Sequence, residues 1–148
     1  MSNIDRAPWH VRFFGRFLKL LLEAGIPLGP NRLVMIRGRR SGSPRVTPLA
    51  VIREDGRRWI WAPWGEVQWV RNLRVARRAT IRERGRSEEV VAEELDAEER
   101  IGFFRDVLAP LAHRIPLGRW FIRAVDGVDV NDPARAASKS RVFELRLR

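Results

Sequence analysis

Apolar and polar positions alternate along this chain with two periods, one of strands and one of helices. Leu33 to Ile36 is a short apolar run that predicts a strand, and Val46 to Ile52 predicts another. Glu54-Asp55-Gly56 reads as a hairpin turn into a third strand, Arg58 to Ala62, which Pro63-Trp64-Gly65 breaks. Ala79–Arg84 and Glu88–Leu95 read as a strand pair around Gly85-Arg86. Phe143, Leu145 and Leu147 alternate with charged residues, as a closing strand should.

The helical period appears in three places. Over Val11–Gly25, Arg12, Arg16, Lys19 and Glu23 share one face, while phenylalanines and leucines cover the rest. Gly25 and Pro27 supply its stop. Such a helix either packs on its own domain or lies in a membrane interface. Glu66–Val75 predicts a short helix, with Val67, Val70 and Leu73 toward the core and Trp69 one residue off that row. Asp96 with Glu99 forms a capping box, and Ile101, Phe104, Leu108 and Leu111 mark the buried face of the helix that follows. Pro110 is expected to kink or end it. Leu117–Ala124 reads as a further short helix and Asp126–Ser140 as loop.

Counted together, these elements give about six short strands joined mostly by hairpins, plus helices. That pattern opposes a parallel sheet and favours a mainly β (α+β) fold, a small barrel with helical decoration. The length of 148 residues suits one domain, with 1–25 as the N-terminal helix and 33–148 as the barrel.

Charge narrows the partners. The net charge of +11 favours an anion: a phosphorylated cofactor, an anionic membrane surface or nucleic acid. The arginines are spread along the chain rather than gathered on a recognition helix, which counts against nucleic acid. No cysteine is present, so disulfides, thiolate metal sites and cysteine nucleophiles are excluded. His10 and His113 are the only histidines and lie far apart in sequence, and no metal site is expected. The N-terminus lacks the shape of a signal peptide and no run is long enough to span a bilayer. The expectation is a cytoplasmic protein, peripheral on the inner face of the cell membrane if the first helix meets lipid.

The candidate chemistry lies between the first two strands. Arg37-Gly38-Arg39-Arg40-Ser41-Gly42-Ser43-Pro44-Arg45 combines arginines, glycines and small hydroxyls. Glycines let the backbone approach a ligand closely, and guanidinium forks donate two hydrogen bonds at once to phosphate. Pro44 and Pro48 rule out a helix there, and no lysine follows the second glycine, so this is neither a dinucleotide fingerprint nor a Walker-type phosphate loop. Trp61, Trp64 and Trp69 fall close together and read either as core or as a wall for a planar ring. No acid–base pair stands out. This is the profile of a protein whose cofactor carries the chemistry, or of a simple binder.

Gly38-Arg39-Arg40-Ser41-Gly42-x-x-Arg45-x-Thr47-Pro48, followed by Ala62-Pro63-Trp64-Gly65-Glu66-x-x-Trp69-Val70-Arg71-Asn72-Leu73, resembles the deazaflavin (coenzyme F-420)-dependent nitroreductase and quinone reductase family of flavin/deazaflavin oxidoreductases. The resemblance runs from about Arg12 to Leu95. It implies a split β-barrel like that of the pyridoxamine-phosphate oxidases and other FMN-binding barrels. It implies coenzyme F-420, a 5-deazaflavin with a phosphate and an oligoglutamate tail, and hydride transfer to quinone-like or nitro-aromatic acceptors, often at the membrane. Carried over by residue, Arg39, Arg40, Ser41, Gly42 and Arg45 would hold phosphate and tail. Thr47 and Pro48 would present backbone to the ring, Ala62, Trp64 and Gly65 would line its edge, and Trp69 and Asn72 would orient that wall. No residue is assigned a catalytic role. The chain departs from the nitroimidazole-activating branch in having only Pro63-Trp64-Gly65 where that branch has a longer glycine-rich segment, and in having no tyrosine. The alternatives are an FMN- or FAD-binding split barrel, and a non-enzymatic binder of nucleic acid or membrane. Barrels of this kind often form homodimers.

Overall fold

A computed structural model describes residues 31–114, 129 and 131–148. The predicted helices at 11–25 and 117–124 lie outside the described residues. Among the described residues seven strands form one sheet in the order β2-β1-β5-β6-β7-β4-β3. They are β1 (Asn31–Arg37), β2 (Pro44–Ala50), β3 (Ile52–Glu54), β4 (Arg57–Ala62), β5 (Arg78–Glu83), β6 (Arg86–Glu94) and β7 (Arg141–Leu147). All pairings are antiparallel.

The extra strand relative to the expected six comes from a break at Val51. The run Val46–Ile52 is not one strand: β2 ends at Ala50 and β3 starts at Ile52. These two strands occupy opposite edges of the sheet, yet a single residue joins them. The sheet therefore has to curl until its edges meet, and the result is a split barrel. Val51, buried at 3% exposure, turns the corner into the barrel interior.

Two cores follow from this curl. Inward-facing aliphatic residues, including Val34, Ile36, Ile60, Ile81, Val90 and Leu145, fill the barrel, with Val70 and Leu73 of helix α1 (Gln68–Ala76) closing it. The second core lies on the outer face of β4 and β7. There Trp59 and Trp61 meet Phe103 and Phe104, with ring centroids 5.6 and 5.7 Å apart. Its cover is one helical run, α2 (Ala97–Gly102), a π-helical turn (Phe103–Leu108) and α3 (Ala109–Arg114), together with α4 (Pro133–Lys139).

The capping box at Asp96 forms in both directions, Glu99 N–H to Asp96 at 2.8 Å and Asp96 N–H to the Glu99 carboxylate at 3.0 Å. Pro110 does not end the helix. The preceding turn is π-type, with the Ala109 N–H donating to the Phe104 carbonyl, and the helix continues through Pro110 to Arg114. The expected loop over Asp126–Ser140 also contains α4. Asp132 caps it by accepting from the Arg135 N–H at 3.2 Å, and Pro133 takes the first helical position, where its missing N–H costs nothing.

Both two-residue hairpins have left-handed backbone at their centres, Asp55-Gly56 (φ 50° and 75°) and Arg84-Gly85 (φ 48° and 76°). That is the geometry whose twist matches the flanking strands. Among the described residues no helix is long and apolar enough to cross a membrane, and no cluster of three His, Cys, Asp or Glu side chains suits a metal ion.

Candidate functional site

The loop between β1 and β2 folds on itself. The Gly38 N–H donates to the Ser43 carbonyl at 2.8 Å, and the Gly42 N–H donates to the Gly38 carbonyl at 2.9 Å. Gly42 has φ 71°, a conformation that other residues adopt at a cost. The Arg37 Nε donates to the Gly42 carbonyl at 3.1 Å, and the Ser41 hydroxyl accepts from the Ser43 N–H at 3.2 Å. There is no room for a side chain at Gly38: a Cβ would lie 2.7 Å from the Ser41 hydroxyl and 3.2 Å from the Ser43 carbonyl.

The loop is then fastened to α1. Asn72, only 7% exposed, accepts from both the Arg39 N–H (3.2 Å) and the Arg39 guanidinium (2.8 Å). The same guanidinium donates to Gln68 at 3.0 Å. Gln68 and Asn72 are four residues apart, so both face the loop from one side of the helix. Arg39, expected to grip an anion, directs its backbone N–H and one guanidinium nitrogen, Nη1, to α1. Arg40 and Arg45 are exposed and have no side-chain partner among the described residues, so their forks remain open to a ligand. Ser41 is exposed as well. Thr47 and Pro48, half-buried on β2, sit opposite Val34 and Leu33.

The second motif forms the turn between β4 and α1. The Gly65 N–H donates to the Ala62 carbonyl at 3.2 Å, and the Val67 N–H to the Gly65 carbonyl at 2.8 Å. Ala62 is buried and Trp64 half-buried. Gly65 has φ 75° and lies so close to the Lys139 carbonyl that a Cβ would sit 3.2 Å from it. Trp69 packs on Phe143 with centroids 6.0 Å apart, at the rim of the barrel core. Trp61 points to the opposite side of the sheet, into the second core. The three tryptophans that cluster in sequence thus do not form one flat wall.

Glu66 anchors this turn. It bonds Arg74 at 2.8 and 2.9 Å and Arg141 at 3.0 Å, and Arg74 also reaches Glu94. The Arg74 guanidinium, reinforced by Arg141, holds the Glu66 carboxyl down at about 2. In turn the Glu66 and Glu94 carboxylates raise the pKa of Arg74. This network ties α1 to β6 and β7, so the platform under the loop is fixed by charge as well as by packing. Sequence reasoning missed Gln68 and Glu66. The signal for Gln68 was its four-residue spacing from Asn72, while the partners of Glu66 are 8 and 75 residues away.

The donor set suits an anionic group such as a phosphate: two open guanidinium forks, an exposed hydroxyl and a glycine-bearing loop, docked on α1. The model of the F-420H(2)-dependent quinone reductase family matches residues 21–113, more than half of the chain, and the chain belongs to that family.

Solved structures share the fold. The heme storage protein HutZ from Vibrio cholerae is 12% identical, with 90% of this chain and 89% of that one covered and a TM-score of 0.55. A conserved hypothetical protein from Mycobacterium tuberculosis is 18% identical over 88% of this chain and 80% of its own, at a TM-score of 0.52. A structure described as a domain-swapped dimer is 20% identical over 88% and 95%, at 0.50. Among curated proteins none matches in sequence.

Proposed function

We propose that this protein is an oxidoreductase that uses reduced coenzyme F-420 to reduce a quinone-like acceptor. When bound, the reduced deazaflavin supplies the hydride. The chain's own part is to bind and orient. Arg40 and Arg45, with Ser41 and Gly42, hold the phosphate and acidic tail. Thr47 and Pro48 present backbone toward the ring. Ala62, Trp64, Gly65 and Trp69 form the wall, and Asn72 keeps the loop in register with it through Arg39.

The observation that carries this reading is the docked loop: one guanidinium nitrogen of Arg39 bonds Gln68 and Asn72, which holds the loop on α1 with Arg40 and Arg45 displayed. Family membership adds the cofactor class. A tryptophan-fluorescence titration with F-420, FMN and FAD in parallel tests it, with half-buried Trp64 as the reporter. Saturable quenching by F-420 alone is expected. Quenching by FMN or FAD instead would transfer the site to a flavin, and no quenching by any of them would overturn the cofactor assignment. Reduction of a short-chain quinone by the F-420-loaded protein then tests the acceptor class.

A further inference from the structure

The cleft where β1 and β5 part adjoins the site just described and shares Gly42 with it. The two strands pair only from Leu33 to Met35, opposite Arg82 to Thr80. Beyond that point β1 continues with β2 as far as Arg37, while β5 continues with β6 back to Arg78. The strands therefore splay, and a crevice of about 340 Å³ opens between them. Met35, Pro44 and Val90 contribute apolar surface to it, and Arg37, Arg78 and Arg148 bring charge.

The charge is unevenly spent. Glu89, also in the crevice, pairs with Arg148 at 3.1 Å. Arg37 uses its Nε to hold the Gly42 carbonyl, a contact that orients the guanidinium while its terminal nitrogens make no bond among the described residues. Arg78 is exposed and its side chain has no partner among them. Thr80 is a further polar residue in the lining. Two open guanidinium groups next to apolar surface favour an oxyanion, because the planar fork matches its oxygens and the apolar wall limits competing water. No residue assigned to the cofactor wall lines this crevice, and neither Arg40 nor Arg45 does. It meets the cofactor loop only through Arg37, Gly42 and Pro44.

We propose that this crevice is a second anion site, taking a small phosphate-bearing molecule other than the cofactor. Arg78 is its principal ligand-contacting residue and Arg37 the link to the loop.

The probe is pyrophosphate, titrated into the full chain by calorimetry, with and without saturating F-420. The expected result is saturable binding that persists with F-420 present. Arg78→Ala should weaken it about tenfold or more, the loss of one charged hydrogen-bond donor, and Arg78→Glu should abolish it. Arg78 is an exposed strand-end residue, so both variants should keep the wild-type melting temperature, and F-420 affinity should stay within about twofold of wild type. Arg40→Ala should do the reverse. Absence of pyrophosphate binding to the wild type, an unaltered affinity in Arg78→Glu, or displacement of pyrophosphate by F-420 with loss in Arg40→Ala would each overturn the proposal. Because the readout is pyrophosphate, the crevice can fail while the cofactor site stands, and the converse.

Discussion

Two turns in this molecule are built from arginine and glycine, and they differ in everything but composition. The hairpin at Arg84-Gly85-Arg86 is a bare connection. Its arginines are exposed and make no hydrogen bond or close ion pair among the described residues, and a Cβ at Gly85 would meet nothing within 4 Å. The loop at 38–43 is closed by its own backbone bonds and clamped to α1 through Arg39, Gln68 and Asn72. Guanidinium groups alone do not make a site. What distinguishes the second turn is that Arg39 ties it to α1 through its backbone N–H and one guanidinium nitrogen, which lowers the ordering cost of binding.

The comparison breaks most visibly under paired charge removal. Arg40→Ala with Arg45→Ala should weaken F-420 binding by about 2–4 kcal/mol, roughly 30- to 1,000-fold in Kd, at about 1–2 kcal/mol per charged contact. Arg84→Ala with Arg86→Ala removes the same formal charge and should leave Kd within about twofold. Equal losses in a fluorescence titration would mean that net charge, and not the loop, attracts the cofactor. A smaller effect should follow from Asn72→Ala, which strands the Arg39 donors. About 1–3 kcal/mol of stability should be lost in urea unfolding, with weaker cofactor binding alongside.

The glycines sharpen the contrast further. Gly85→Ala puts a side chain into left-handed backbone in open space and should cost about 1 kcal/mol of stability without touching Kd. Gly38→Ala crowds the Ser41 hydroxyl and the Ser43 carbonyl. It should therefore loosen the loop and raise Kd for F-420 several-fold more than Gly85→Ala does. The smallest effect concerns acid. Glu66 has its folded pKa lowered to about 2, so its contribution is complete above its usual range near 4.5 and is lost as pH falls between the two. Urea midpoints should fall between about pH 5 and pH 2 less steeply in Glu66→Gln than in wild type. Parallel profiles would show that the Arg74–Glu66–Arg141 network adds no acid-sensitive stability.

Much of this was legible in the chain itself. Apolar runs placed the strands, Asp55-Gly56 placed a hairpin, and Asp96 with Glu99 placed a helix start, because each is a local preference. The split barrel followed from short hairpin-linked strands and from the family resemblance. What escaped is non-local. Nothing near Val51 announces that one residue turns the chain from one sheet edge to the other. Asn72 meets Arg39 across 33 positions, a contact set by where α1 packs. The run Trp59-Ile60-Trp61-Ala62 has no polar alternation, which is how a strand covered on both faces reads. Trp61, which the sequence left open between core and ring wall, fills the outer core. Asp132-Pro133 signalled a helix start within a stretch read as loop.

The sheet order has one more consequence, for how the chain comes together. β7 lies between β6 and β4, so the pairings on its two sides are all that joins β2-β1-β5-β6 to the β3–β4 hairpin by strand hydrogen bonds. It also follows the other six described strands in sequence. Without it those six form only two separate ribbons, so closing the barrel depends on long-range pairing by β7. The Arg57–Glu144 pair, 87 residues apart, forms only once that pairing is made.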